Sequence, residues 1–236
     1  MDETIINWIF TLILVLAGII TYHKRSLDLL GSIFMIFMGI IILLEAGISW
    51  LILILVFLIL SLYASKYAKE YKQKLGIYEK KRTAKNVISN GLIAFIMAAL
   101  GGIAFNGHYI PLFGGFIGAV ATATADTLAS EVGVLQKPRL LTTFKTVEPG
   151  TDGAVSILGT SVGIIGAGII GFSSFILGLI PNPILAVEIA VISGTFGCFM
   201  DSVLGAILER KGFISNEHVN LLGTLSGAIV GILLMM

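Results

Sequence analysis

The stretch PLFGGFIGAVATATADTLASEV, residues 111–132, decides the fold class of this chain. Residues 111–125 carry no charge, and the acids Asp126 and Glu131 follow near its end. At a rise of about 1.5 Å per residue, a helix of this length crosses the roughly 30 Å hydrocarbon core of a bilayer. A carboxylate inside such a helix is energetically costly and usually marks a functional site. The stretch therefore predicts a membrane-spanning helix with a functional acid near one end.

The composition of the whole chain extends this prediction. Of its 236 residues, 56% are hydrophobic and only 12% are charged, which exceeds the apolar share of soluble domains. The net charge of +1 gives no reason to expect nucleic acid as a partner. The high share of apolar residues instead predicts that the chain lies in a lipid bilayer. We predict an all-α, polytopic transmembrane bundle of about eight helices, near residues 4–22, 26–46, 48–70, 86–105, 111–132, 154–180, 184–208 and 216–235.

Positive charge marks every second connection between these helices. All 15 Lys and Arg residues lie in residues 23–25, 66–85, 137–145 and 210–211. The connections near residues 46–47, 106–111 and 181–183 carry none. Because positively charged loops stay on the cytoplasmic side, we expect both termini outside, in a multi-pass protein of the cell membrane.

The glycine content changes near residue 85. Residues 1–85 hold five of the 28 glycines, and residues 86–236 hold the other 23. Small residues let helix backbones approach closely in lipid. We predict an N-terminal three-helix scaffold over 1–85, which could also mediate a homo-oligomer, and a five-helix catalytic bundle over 86–236. The basic link at 66–85 is interpreted as a solvated extension that contacts anionic headgroups, with phosphate binding as the alternative.

A faint repeat places two acids in equivalent positions. Asp126 and Asp201 each precede a hydroxyl residue in the sequences ADTLAS and MDSVLG, and Leu-Gly-Thr recurs at 158–160 and 222–224. Two parallel helix pairs related by an axis along the membrane normal would produce this pattern, as would chance in small-residue helices. In the first case, Asp126 and Asp201 face each other, in the inner third of the membrane.

Further polar residues are expected at the same depth. Asn90 and Asn220 lie near the inner surface, as interhelical hydrogen-bonding groups or as ligands. Between helices five and six, the sequence PGTDG at 149–153 offers backbone N–H groups ahead of a helix and so could hold an anion. The alternative is an ordinary turn in which Asp152 caps the helix.

Several motifs in order resemble one known family. They are ADTLASE at 125–131, TTFK and PGTDG within 142–153, Leu-Gly-Thr in helix six, MDSVLGA at 200–206 and Val219-Asn220. Over residues 85–236 the chain resembles the integral-membrane phytyl-phosphate kinase family, whose eukaryotic relatives include transmembrane protein 19. The resemblance implies transfer of the γ-phosphate of a nucleoside triphosphate, typically CTP, to an isoprenyl monophosphate of phytyl or geranylgeranyl type. Glu148, ahead of Pro149-Gly150, departs from the family pattern.

The resemblance and the chemistry of the residues together give a candidate site facing the cytoplasm. Asp126, Glu131 and Asp201 are expected to hold Mg²⁺, which prefers oxygen ligands. Asp126, Asp201 and Lys145 are the expected catalytic residues, since phosphoryl transfer depends on charge stabilisation. The expected nucleotide- and phosphate-binding residues are Asn90, Thr127, Ser130, Thr142, Thr143, Gly150, Thr151, Gly153, Ser202 and Asn220.

Three other classes of protein are alternatives to a prenyl phosphate kinase. A cation-coupled secondary transporter would also use intramembrane acids, although the almost purely apolar outer half argues against a path across the membrane. A membrane cytidylyltransferase would use CTP but release pyrophosphate. A non-enzymatic scaffold would leave the buried acids unexplained.

Overall fold

A computed structural model describes residues 3–78, 83–104 and 110–236. Within these ranges the chain is almost entirely helical, with one small two-stranded sheet. The α-helices are α1 Glu3–His23, α2 Leu29–Glu45, α3 Ile48–Tyr67, α4 Lys69–Lys74, α5 Ala84–Ala99, α6 Ile110–Gly133, α7 Ile157–Ile176, α8 Pro183–Ile207 and α9 Asn216–Leu233. A π-helical segment, Leu100–Ala104, extends α5, a 3₁₀ turn, Glu209–Lys211, follows α8, and the strands are β1 Arg139–Leu140 and β2 Ala154–Val155.

The predicted helical membrane bundle is confirmed. Each of the eight expected apolar segments corresponds to one long helix: α1, α2, α3, α5, α6, α7, α8 and α9. Six helices in the described part of the chain are long and apolar enough to cross a membrane, while α2 is a shorter apolar helix and α9 is not among the six. Part of the expected outer connection at 106–111 lies outside the described residues.

Several helix boundaries differ from the expectation by a few residues, and two of these differences have a local reason. The third helix ends at Tyr67, and the basic sequence that follows forms the separate six-residue α4. The sixth predicted helix begins only at Ile157, because Ala154–Val155 pairs with β1 in antiparallel register. Its N-cap is Ser156, whose hydroxyl oxygen accepts from the Gly159 N–H at 3.1 Å, so Asp152 is not the cap.

The helix α6 occupies the centre of the bundle. It packs against α3, α5, α7, α8 and α9, and most of its residues are buried. A Cβ atom on Gly114 would lie only 2.1 Å from the carbonyl oxygen of Gly231, and one on Gly118 only 2.3 Å from that of Gly227. The backbones of α6 and α9 are therefore in direct contact, which explains the excess of glycine after residue 85.

The N-terminal helices attach to one side of this bundle. α2 packs against α5 and α3 packs against α6. The Trp50 ring of α3 lies 5.0 Å from the Phe113 ring and 4.4 Å from the Phe116 ring of α6, measured between centroids. The division into a scaffold and a catalytic bundle at residue 85 stays a prediction.

Candidate functional site

A polar cavity of about 280 Å³ opens at one end of the bundle, near the lower limit of ligand pockets. It lies where α6 and α8 end and where α5, α7 and α9 begin, which is the end that carries the basic connections. Eleven of the predicted site residues line it: Asn90, Asp126, Thr127, Ser130, Glu131, Gly150, Thr151, Gly153, Asp201, Ser202 and Asn220. Short motifs on separate helices therefore border one cavity, and the roles of these residues in binding and catalysis stay predictions.

Two carboxylates from different helices meet in this cavity. The side chains of Asp126 on α6 and Asp201 on α8 are close enough to interact directly. The Oδ2 atom of Asp201 is buried and has no hydrogen-bond partner among the described residues. Gly223 of α9 packs against Asp201, since a Cβ there would lie 3.2 Å from the Cβ of Asp201. The predicted facing of the two acids is therefore confirmed.

Two hydroxyl side chains beside these acids already use their single hydrogen. Ser130 donates to the Thr127 carbonyl oxygen and Ser202 donates to the Cys198 carbonyl oxygen, both at 3.1 Å. The hydroxyl oxygens can still accept, so in this arrangement they suit a water molecule or a cation. To bind a phosphate oxygen, either hydroxyl would have to rotate away from its helix.

The loop before α7 packs closely on the end of α8. Gly153 has φ +70°, and a Cβ on it would lie 2.1 Å from the backbone nitrogen of Ala206. Thr151 turns the loop by donating from its hydroxyl to the carbonyl oxygen of Glu148 at 2.7 Å. The close packing fixes the Gly150–Gly153 backbone at the cavity wall.

Six polar lining residues were missed by the sequence reasoning. Two of them, Asn86 and Asn216, precede Asn90 and Asn220 by four residues, and that helical spacing could have identified both. The Asn86 carboxamide oxygen also accepts from the Thr83 N–H at 2.8 Å. The full set missed is Asn86, Asp152, Ser156, Thr160, Glu209 and Asn216.

The backbone adds positive potential to this acidic cavity. Three helices, α5, α7 and α9, begin at its wall, and residues of their first turns line it. A helix N-terminus carries partial positive charge, which favours an anion. In α7 the N–H groups of Leu158 and Gly159 already donate to the side chains of Gln136 and Ser156, so that helix contributes through its dipole. The cavity therefore combines groups that attract an anion with a carboxylate pair that attracts a cation.

Glu131 is held by an ion pair. Its Oε2 atom lies 2.9 Å from Nζ of Lys72, and the two side chains are only 15% and 13% exposed. Within residues 3–78, 83–104 and 110–236, no group of three or more His, Cys, Asp or Glu side chains is arranged to hold a metal. Of the three predicted Mg²⁺ ligands, the structure brings Asp126 and Asp201 together, and the role of Glu131 as a ligand stays a prediction.

Three predicted phosphate contacts lie outside the cavity. Thr142, Thr143 and Lys145 are exposed on the turn that follows β1, which is closed by a 3.0 Å hydrogen bond from the Leu140 N–H to the Lys145 carbonyl oxygen. Phe144, between them, has φ +57° and is 72% exposed. Their role in binding phosphate stays a prediction.

Comparison with known proteins identifies similar chains in an archaeon and in a plant. Residues 12–228 match the family described as integral membrane protein DUF92. The membrane protein MJ0933 of Methanocaldococcus jannaschii is 41% identical over 98% of this chain and 96% of its own length. From Arabidopsis thaliana, Protein PGR is 30% identical over 83% of this chain and 76% of its length, and chloroplastic Protein VTE6 is 31% identical over 80% and 59%. No solved structure matches.

Proposed function

Because the chain belongs to the integral membrane DUF92 family, we propose that it is a CTP-dependent kinase of the membrane. It phosphorylates an isoprenyl monophosphate, of phytyl or geranylgeranyl type, to the diphosphate at the cytoplasmic face. The motifs shared with phytyl-phosphate kinases support the reaction, and the contact between Asp126 and Asp201 inside the cavity is the observation that carries it.

The two acids fit a bound Mg²⁺ ion. The Oδ2 atom of Asp201 is a buried acceptor that lacks a hydrogen-bond partner among the described residues, which is costly unless a ligand satisfies it. Mg²⁺ is commonly held by one or two carboxylates together with substrate phosphates and water. When bound there, Mg²⁺ would neutralise charge on the triphosphate oxygens.

The groups around the carboxylates suit the two phosphate-bearing substrates. The N-termini of α5, α7 and α9 and the Gly150–Gly153 backbone attract and orient the phosphates. An oxygen of the acceptor phosphate forms a bond to the γ-phosphorus, and the bond from that phosphorus to the β–γ bridging oxygen breaks, so that CDP leaves. Lys145, as proposed from the motifs, binds phosphate oxygens and stabilises the charge that spreads over the transferring phosphoryl group in the transition state.

The acceptor needs little help from a general base. A phosphate monoester has a second pKa near 6, so most of it is dianionic at neutral pH and has no proton to lose. The cavity agrees with this requirement, since no histidine lines it among the described residues. Positioning and electrostatic stabilisation then supply the rate enhancement.

The position of the cavity suits an amphiphilic acceptor. It lies at the end of an apolar bundle, so that a prenyl chain could remain among the helices while its phosphate reaches the acids.

The decisive experiment uses purified protein, γ-labelled CTP and a panel of prenyl monophosphates. We expect label to appear in prenyl diphosphate, with one CDP formed for each. Formation of a CDP-lipid with release of pyrophosphate would indicate a cytidylyltransferase. Cation-dependent uptake into vesicles without any transfer would indicate a transporter, and the kinase proposal would then be rejected.

A further inference from the structure

A segment of the N-terminal region lies along the wall of the cavity. We call residues 68–78, which comprise α4 and the turn after it, the strap. Lys72 of the strap forms the 2.9 Å ion pair with Glu131, fifty-nine residues away in sequence. Ile77 lies close to Gly150, since a Cβ on that glycine would be 3.1 Å from Cδ1 of Ile77. Both Glu131 and Gly150 line the cavity, so the strap contacts its wall at two points.

The charge of Glu131 makes the first of these contacts important. Five carboxylates, those of Asp126, Glu131, Asp152, Asp201 and Glu209, line one cavity. A nucleoside triphosphate would bring about four more negative charges, and like charges in a site of low dielectric constant repel strongly. The Lys72 ammonium and the Glu131 carboxylate are mostly buried, so salt screens their interaction less than it screens a surface pair.

We propose that Lys72 is a positioning residue for nucleotide binding. It acts through Glu131: the ion pair neutralises one of the five wall carboxylates and directs it toward the strap, which lowers the repulsion that the nucleotide phosphates meet. In this proposal Glu131 is therefore not a Mg²⁺ ligand. The inference rests on the proposed function. It gives the basic link a role at the site, where the sequence favoured contact with lipid headgroups.

The test combines removal of the ammonium with removal of the carboxylate. We expect Lys72→Met to raise the dissociation constant of a non-hydrolysable CTP analogue about tenfold, and to raise KM for CTP by a similar factor while kcat changes less than twofold. The double variant Lys72→Met/Glu131→Gln should recover most of this loss in affinity. Lys74→Met is the matched control, because Lys74 is an exposed residue of the same short helix.

Three outcomes would overturn the proposal. One is a Lys72→Met protein that binds the analogue as tightly as the wild type. Another is equal weakening in Lys72→Met and in the double variant, which would mean that Lys72 contacts the nucleotide itself or only holds the fold. The third applies if Lys72→Met does not fold. The proposal requires that Glu131→Gln binds the analogue at least as tightly as the wild type, so weaker binding in that variant would overturn it.

Failure of this inference can be told apart from failure of the proposed function. Binding of the CTP analogue is measured by calorimetry without an acceptor, so it reports on charge at the wall whether or not transfer occurs. A wild-type protein that makes no prenyl diphosphate would reject the function. A wild-type protein that makes it, with unchanged affinity in Lys72→Met, would reject only the role of Lys72.

Discussion

Thr122 on α6 donates a hydrogen bond to the backbone carbonyl oxygen of Ser193 on α8, at 3.3 Å. The same hydroxyl lies 2.8 Å from the carbonyl oxygen of Gly118 on its own helix. Thr122 is 1% exposed and precedes Asp126 by one helical turn. The interaction therefore joins the two helices that carry the carboxylates, close to the point where those carboxylates meet.

We expect Thr122→Val to destabilise the protein by about 0.6 kcal/mol, the mean value for interhelical hydrogen bonds in membranes, and to lower kcat modestly. Thr124→Val is the matched control, because Thr124 is equally buried but bonds to the Val120 carbonyl oxygen of its own helix. Thermal unfolding in detergent and steady-state kinetics would compare them. A larger loss in the control would contradict the interhelical role.

Replacing either buried acid should stop the reaction. We expect Asp126→Asn and Asp201→Asn each to reduce kcat at least about 100-fold, because each removes a charge that stabilises the transition state. Both proteins should still fold, since Asn is nearly isosteric with Asp. Glu188→Gln, on α8 but exposed and far from the cavity, is the control. Activity retained in either Asn variant would remove that residue from the proposed site.

Mg²⁺ should stabilise the protein through the same pair. A ligand at 100 times its dissociation constant stabilises the folded state by about 2.7 kcal/mol, so Mg²⁺ with a CTP analogue should raise Tm by several degrees. The increase should be lost on chelation and absent in Asp201→Asn. An identical Mg²⁺-dependent increase in that variant would place the metal elsewhere.

Gly153 should tolerate no side chain. The new methyl group of Gly153→Ala would lie 2.1 Å from the Ala206 nitrogen, and its φ of +70° also disfavours any other residue. Gly178→Ala isolates the second effect, because Gly178 has φ +74° with nothing within 4 Å. We expect about 1 kcal/mol of destabilisation in the control and clearly more, with lost activity, for Gly153→Ala. Equal Tm values for the two variants would show that the close contact between Gly153 and Ala206 contributes little to stability.

A substitution of Lys145 tests whether the exposed turn that follows β1 reaches the substrate phosphates during the reaction. If it does, Lys145→Met should lower kcat/KM for CTP about tenfold or more, since a cation on the transferring phosphoryl group would be lost. Lys137→Met, another exposed cation ahead of β1, should have little effect. Equal kinetics for both variants would restrict the site to the cavity itself.

Much of the fold follows from features that act locally along the chain. Apolar runs long enough to cross a bilayer predicted all eight long helices, and alternating basic connections predicted the end at which Asp126 and Asp201 meet. Eleven of the predicted site residues line one cavity because the motifs fall on helix ends that the topology brings together. Even the missed Asn86 and Asn216 follow a helical spacing that the sequence displays.

The remainder depends on contacts between distant segments. The pairing of Lys72 with Glu131 could not be predicted, because nothing local indicates which of many cations approaches a given acid. The pairing of β2 with β1 shortened α7 for a similar reason, since two residues of strand carry almost no sequence pattern. The exposure of Lys145 likewise depends on how the whole loop folds back.

The central position of α6 has a consequence for how such chains are recognised. A helix that is surrounded by protein makes little contact with lipid, so its side chains need not be strongly hydrophobic. The central α6 is rich in Gly, Ala and Thr and has a much lower mean hydropathy than the peripheral α3. The inner helix that carries Asp126 thus has the lowest hydropathy of the six membrane-capable helices in the described residues, and α9 is not among these six. If membrane spans were counted by hydrophobicity alone, the helices that line the cavity would be the first to be overlooked.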